Sequence, residues 1–385
     1  MTNKKRLIDE FIELVKINSL TGKEKNLADF LLEKLSEIGF EVTTDNAGEI
    51  VGGETGNVIA TLKGNRPGKK LLFTAHMDTV EPGLNINPII DEEKQIIKSD
   101  GTTILGSDDK AGIAAILEAM RTLKENNISH PDIQVVFSIW EENGLLGAKN
   151  LDYSKINTDY IYVFDMDGSP GRIITKAPAQ DKITVKIIGK AAHAGLNPES
   201  GISALMVASH AIENMKLLRI DEETTANFGV IHGGTGTNSV MSELTMYGEA
   251  RSLNEEKLDK QTNHMIECLK EAADKFGAKL EINVDRLYGS IDIDENDEVV
   301  KLAKKAFSNI NIDAYTDSTG GASDVNVYAK KGYKSVNLAI GMTNAHSVNE
   351  YIKIEDLYNS IKKELSIFMI WKSFWDNSFL LLIKM

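Results

Sequence analysis

The chain has 385 residues, 42% hydrophobic and 26% charged, which is long and apolar enough for two domains with cores of their own and excludes global disorder. Its net charge of -14 excludes nucleic acid as a main partner, because a polyanion requires clustered Lys and Arg. The single cysteine, Cys268, excludes an intrachain disulfide framework and a cysteine-based zinc site and suits a reducing cytoplasm, so any metal must be held by His, Asp and Glu.

The N-terminal MTNKKRLIDEFIELVK reads as an amphipathic helix with acids interspersed, unlike the apolar run of a signal peptide. Thr21 and Glu24 have the T-x-x-E spacing of a capping box before Leu27, Phe30, Leu31, Leu35 and Ile38, with Gly39 as the stop. Strands are expected at 57–63 and 70–76, a helix from Asp108 to Asn126, and strands at 133–140 and 160–165. This alternation predicts an α/β fold, a mixed and mostly parallel sheet sandwiched by helices. From Asp181 the pattern changes to strand 181–189, helix 201–218, strands 225–232 and 239–251, helix 255–276 and strand 279–288, the ferredoxin-like order β-α-β-β-α-β. Helices at 296–308 and 323–331, a strand at 335–340 and a helix at 354–368 then resume the first pattern. The domains follow: residues 1–177 with 292–385 form one discontinuous α/β domain, and 178–291 an inserted α+β domain. The aromatic-rich end, residues 366–385, is interrupted by Lys372 and Asp376 and falls short of the ~20 apolar residues of a membrane span. It reads as a docked helix or an adhesive tail, not an anchor, and no membrane partner is expected.

In "LLFTAHMDTV" an apolar strand ends in His76 and Asp78, which share a face because alternate residues do. An imidazole metal ligand commonly has its other nitrogen held by a carboxylate, and H-x-D supplies both partners, although this pair alone reads first as a solvated strand end. Three further acidic groups fall at turn or strand ends: Asp108 and Asp109 in "GSDDKAG", Glu141 and Glu142 in "FSIWEENG", and Asp165 and Asp167 in "YVFDMDGSPG". Any one is ordinary surface chemistry or a favoured helix N-terminus. Together in one crevice they would repel each other unless cations compensate. "GMTNAHSVNEYI" adds His346. His130, His210, His232 and His264 lie in structural contexts, whereas His76, His193 and His346 sit among Gly, small and acidic residues. Two histidines with at least three carboxylates suit a divalent metal, zinc foremost, and suffice for two ions sharing a bridging carboxylate.

"HMDTV", "GSDDKAG", "EENGLLGA", "DMDG", "AAHAGLNPESG", "GGTGTNSV" and "GMTNAHSVNEYI", in this order, resemble the aminoacylase and peptidase T family of di-zinc peptidases, and within it the peptidase T-like branch, over roughly residues 5–368. The resemblance implies a tripeptide aminopeptidase with two zinc ions per subunit, with Co²⁺ or Mn²⁺ as alternatives. Asp108 would bridge the ions, His76 and Asp167 would complete one site, and Glu142 and His346 the other. Asp167 is preferred to Asp165 because the family's ligand directly precedes the small residue that Gly168 represents. Asp78 would orient His76, and Glu141 would be the general base for water activated between the ions. The peptide after Asp108 would be cis. His193 would supply an oxyanion donor across a homodimer formed through the inserted domain. Asn238 and Arg251 would hold the carboxylate end of a short peptide, although for Arg251 a strand-end salt bridge is an equal reading. "GGASDVN" (320–326) would shape the crevice, and Trp140 and Asn143, unusual beside the base, would bear on specificity. An N-acyl-amino-acid hydrolase or carboxypeptidase on the same scaffold is the alternative within the hydrolases. A non-catalytic metal-binding protein is the alternative outside them, and Glu141 argues against it, since binding alone needs no free base.

Overall fold

The structure, a computed structural model, describes residues 3–370. The described residues divide into two compact units: 3–175 with Ile293–Ser318 and 323–370, and Lys176–Asp292 with Thr319–Ala322.

In the first unit the sheet runs in the order Glu41–Thr44, Val58–Leu62, Ile133–Ser138, Leu71–His76, Tyr160–Met166, Lys334–Ala339, Arg172–Ala177. The four strands from Ile133–Ser138 to Lys334–Ala339 are parallel, and the flanking pairs are antiparallel. Leu71–His76 is buried at every position, as a strand covered by helices on both faces must be. The helices Lys4–Lys16, Lys25–Ile38, Ser107–Glu125 and Glu298–Asn309 bury Leu7, Phe11, Leu31, Leu35, Ile113, Leu117, Val299 and Phe307 in the core that includes Phe73, Phe137 and Phe164. Because the central strands are parallel, their C-terminal ends share one edge, and those ends with the loops that leave them carry the candidate metal ligands of this unit. A small four-stranded antiparallel sheet, not expected from the sequence, joins the hairpin Pro88–Asp91 and Ile96–Ser99 to Tyr351–Lys353 and Met342–Thr343.

The expected capping box is absent. Helix Lys25–Ile38 starts without a side-chain cap. The Thr21 hydroxyl donates instead to Asp78 at 2.8 Å, and the Glu24 carboxylate turns into the core to accept from Gly22 N–H at 2.9 Å and Trp140 N–H at 3.1 Å. Gly39 does end this helix, in the left-handed region.

The second unit is an antiparallel sheet in which Thr224–Gly233, Glu243–Ser252, Ala179–Ile188 and Lys279–Tyr288 lie side by side in that order, with helices Ala204–Asn214 and Glu255–Phe276. That is the ferredoxin-like arrangement, around a core of Ile183, Val185, Ile187, Val207, Met246, Met265 and Leu269. Cys268 is a buried free thiol. Among the described residues no helix is long and apolar enough to cross a membrane. The last described helix is Ile354–Ile370, and most of the tail singled out in the sequence lies outside the described residues.

Candidate metal centre and active site

His76 is the last residue of its strand and is 2% exposed. Its Nδ1 lies 2.9 Å from the main-chain oxygen of Asp78 and 3.5 Å from that residue's carboxylate. With Nδ1–H donating to the carbonyl, Nε2 faces Asp108 Oδ1 at 3.0 Å and Asp165 Oδ1 at 3.8 Å. Asp108 Oδ2 faces a different imidazole, His346 Nε2, at 3.1 Å, and Glu142 Oε1 reaches the same nitrogen at 2.9 Å. One carboxylate thus addresses two histidines, one through each oxygen. Two triads sharing His76, one with Asp108 and Glu142 and one with Glu141 and Asp165, bring their ligand atoms within 4.8 Å of one another.

The backbone is shaped to allow this. Asp108 and Asp109 interrupt the helix Ser107–Glu125 with non-helical dihedrals, and their peptide bond is cis. Gly112 lets the turn close: a Cβ there would lie 2.5 Å from both Asp109 Oδ1 and the Phe164 carbonyl oxygen. His346 has φ of 62°, in the left-handed region, within a loop that follows strand Lys334–Ala339.

Crowding sets the electrostatics. Burial first, and then Glu142, Asp324 and Asp78, raise the carboxyl of Glu141 well above its ordinary range. Burial, and then Glu141, raises that of Asp165 in the same way. Glu142 is raised chiefly by burial. Asp108 is lowered, against its burial, by hydrogen bonds from His346 and His76. His346 is pushed up to about 10 by Asp108 and then Glu142. Burial alone would lower His76, but Asp108 and Asp78 raise it well above the usual value. Among the described residues, Asp108, Asp165 and Glu142 form ion pairs with the two histidines alone. A largely buried set of carboxylates, with one buried and one exposed imidazole, whose own positive charges are fewer than its acids fits divalent cations, by number and by donor chemistry.

One expectation is corrected. Asp167 does not join this group. Strand Tyr160–Met166 ends before it, and its half-exposed side chain is held by Arg172 Nη1 at 2.5 Å, while Arg172 Nε also binds Asp317 at 2.9 Å. Asp165, still within the strand and with 10% of its side chain exposed, occupies the place beside His76. Asp78 also differs in detail from the expectation. Its carboxylate chiefly accepts the main-chain N–H groups of Glu141 at 2.9 Å and Glu142 at 3.2 Å, and it is its carbonyl oxygen that meets His76.

The other candidates lie in the second unit. His193 Nδ1 accepts from the N–H groups of Gly195 at 3.1 Å and Leu196 at 3.2 Å, which leaves the proton on exposed Nε2 as a donor. Ala194 N–H donates to the Asn238 carbonyl oxygen at 2.9 Å, so His193 and Asn238 belong to one loop cluster. Arg251 is gripped by Glu249, with Nε to Oε1 at 2.9 Å and Nη2 to Oε2 at 3.1 Å.

The sequence model of Peptidase family M20/M25/M40 matches residues 72–368. The chain belongs to the M20/M25/M40 peptidase family. Uncharacterized protein YqjE of Bacillus subtilis (strain 168) is 45% identical over 367 residues, which is 95% of this chain and 98% of that one. The crystal structure of aminopeptidase PepT from Bacillus cereus ATCC 10987 superposes with a TM-score of 0.85 at 42% identity, covering 95% of this chain and 98% of its own. That of a tripeptidase (SAV1512) from Staphylococcus aureus subsp. aureus Mu50 superposes with a TM-score of 0.91 at 40% identity, covering 96% and 99%. The family makes this protein a hydrolase acting on peptides.

Three buried acids of this M20/M25/M40 peptidase were not read from the sequence as site residues, Glu24 being expected only in a capping box and Asp324 only within the GGASDVN segment. Glu24 is fully buried beside Trp140, and burial followed by the charge of Asp78 pushes its carboxyl up to about 7. Asp324, in the "GGASDVN" segment, accepts from the Ser138 hydroxyl at 2.5 Å and is pushed up to about 6 by burial. Glu350, four residues after His346, accepts from the turn that carries Asp108. The indole of Trp140 packs on Gly22, where a Cβ would come within 2.8 Å of its ring, and this fixes the residue that precedes Glu141.

Proposed function

We propose that this peptidase is an aminopeptidase of short peptides, tripeptides foremost, that works in the cytoplasm with two divalent ions, zinc in the first instance. The observation that carries the reading is Asp108, whose two oxygens meet His76 and His346 separately with Asp165 and Glu142 alongside. On this reading His76 and Asp165 hold one ion, Glu142 and His346 the other, and Asp108 both, with Asp165 in place of Asp167. Ions bound there polarise a carbonyl oxygen and acidify water.

The chain's own groups do the rest. Glu141 is buried against the cluster, where its carboxylate would accept the proton of the attacking water and deliver it to the leaving amine. His193, acting from a second copy of the chain as the resemblance implies, offers Nε2–H to the developing oxyanion. Asn238 and Arg251 hold the peptide's carboxylate end, with Glu249 fixing the guanidinium. The aminopeptidase and tripeptidase named above, each alike over nearly the whole chain, support this choice over acyl-group or C-terminal hydrolysis. Purified protein supplied with zinc is to be assayed on tripeptides, dipeptides and N-acyl amino acids, with release of the N-terminal residue followed by mass. Tripeptide cleavage from the amino end is expected to dominate. Faster turnover of N-acyl amino acids, or release of the C-terminal residue, would move the assignment to the other hydrolases of the scaffold.

A further inference from the structure

Glu350 belongs to none of the groups so far given a chemical task, yet its surroundings are unusual. It is 1% exposed, and its carboxylate accepts five hydrogen bonds from one short stretch. Oε2 takes Leu105 N–H at 2.7 Å and Gly106 N–H at 2.9 Å, while Oε1 takes Ser107 N–H at 2.7 Å, the Ser107 hydroxyl at 2.5 Å and Asp108 N–H at 3.2 Å. These donors include the start of the helix Ser107–Glu125, whose first amides have no partner within the helix. At its other end Glu350 is tied to the His346 loop, its N–H donating to the Ser347 carbonyl oxygen at 3.1 Å, and the Ser347 hydroxyl closes the loop on the Asn344 carbonyl oxygen at 2.8 Å.

We infer that Glu350 is the positioning residue of the proposed metal centre, setting the distance between Asp108 and His346 by clamping the turn of one to the loop of the other. The inference rests on the metal reading above and deepens it. A bridging carboxylate must keep both oxygens on target, and Asp108 sits at a helix start interrupted by non-helical dihedrals, where the helix ladder does not hold it. Glu350 supplies that restraint from 242 residues away in the chain. Its removal strands four buried N–H groups and a hydroxyl without their acceptor, and frees the Asp108 turn to move relative to His346.

The test uses the full chain as wild type, Glu350→Gln, Glu350→Ala and Ser107→Ala, each checked for fold by circular dichroism. Zinc affinity is measured by competition with a chromogenic chelator, and the visible absorption of the protein loaded with Co²⁺ is recorded. Zinc affinity is expected to fall about 10–100-fold in the Glu350 variants and a few-fold in Ser107→Ala, with altered Co²⁺ bands, as for groups that orient ligands. A role in stability alone would lower the unfolding midpoint and leave both metal readouts where they were, and that result overturns the inference. If the Glu350 variants do not fold, Ser107→Ala decides in the same two directions. Wild type that takes up no divalent ion overturns the metal reading and this inference together. Wild type that takes up two, with the folded variants equal to it, overturns only the role of Glu350.

Discussion

Glu24 gives a prediction whose size follows from its surroundings. Its carboxylate is fully buried, Oε1 accepts from Gly22 and Trp140, and Oε2 has no hydrogen-bond partner among the described residues. Burial and then the nearby Asp78 move its pKa from the ordinary 4.5 to about 7. Between those values the unfolded chain has lost this proton while the folded protein still holds it, so stability falls as pH rises, by ~3 kcal/mol across the window at 1.36 kcal/mol for each pH step. Below 4.5 and above about 7 the contribution is flat. In Glu24→Gln the group no longer titrates, while an amide oxygen can still accept from both N–H groups. Urea denaturation of both proteins from pH 4.5 to 8, in one chelating buffer, isolates the effect, because every other titration cancels in the difference. The variant's stability relative to wild type is expected to climb by ~3 kcal/mol over the window and then level off. A difference that does not change with pH, or that falls, would show that Glu24 is ionised throughout and that its burial is compensated in some other way.

Three further outcomes are expected. Glu141→Gln should lower kcat by about 10²–10⁴-fold while metal content, read by atomic absorption, stays that of wild type; unchanged turnover would remove the proposed base. Asp165→Asn should weaken zinc binding by about 100-fold or more, whereas Asp167→Asn should leave it within twofold and cost about 1 kcal/mol or less, the range for a solvent-exposed ion pair, both read by chelator competition and urea denaturation. Gly112→Ala places a methyl group 2.5 Å from Asp109 Oδ1 and the Phe164 oxygen, and should cost about 1–3 kcal/mol in urea denaturation.

The layered α/β unit and the inserted unit were legible because their signals are local. Leu71–His76 and Ile133–Ser138 are short apolar β-rich runs, and Ile113, Ile116, Leu117 and Met120 repeat at helical spacing. The ligand loops were legible because acids and histidines at the ends of such runs have few structural reasons to be there. The choice between Asp165 and Asp167 was not, because a two-residue spacing puts both on one face of a continuing strand, and what separates them is that the strand stops at Met166 and Arg172 draws Asp167 aside. Thr21 and Glu24 matched a capping spacing, but Asp78 and Trp140, distant in sequence, compete for the same side chains and win. The hairpin Pro88–Ser99 escaped notice because its outward Ile89 and Ile90 are adjacent and exposed, which breaks the alternation that marks a half-buried strand.

The buried acids around the centre share one kind of contact, and it links fold to chemistry. Asp78 accepts the amides of Glu141 and Glu142, Glu24 that of Trp140, Asp109 that of His76 at 3.1 Å, and Glu350 those of the Asp108 turn. The segments that carry His76, Asp108, Glu141 and Glu142 are therefore pinned through their main chain by buried carboxylates brought from elsewhere in the sequence, and the amides partly offset the charge they hold, whereas Asp165 N–H donates to the neutral Asn337 amide oxygen at 3.0 Å. A shell of neutral acceptors could position the same loops. Acids do so while adding negative potential to a centre already crowded with carboxylates, which on the proposed reading means that divalent ions enter a site whose ligands are fixed in place beforehand and whose repulsion they relieve. Positioning and cation demand then come from the same residues, so any substitution that neutralises one of these acids should disturb both.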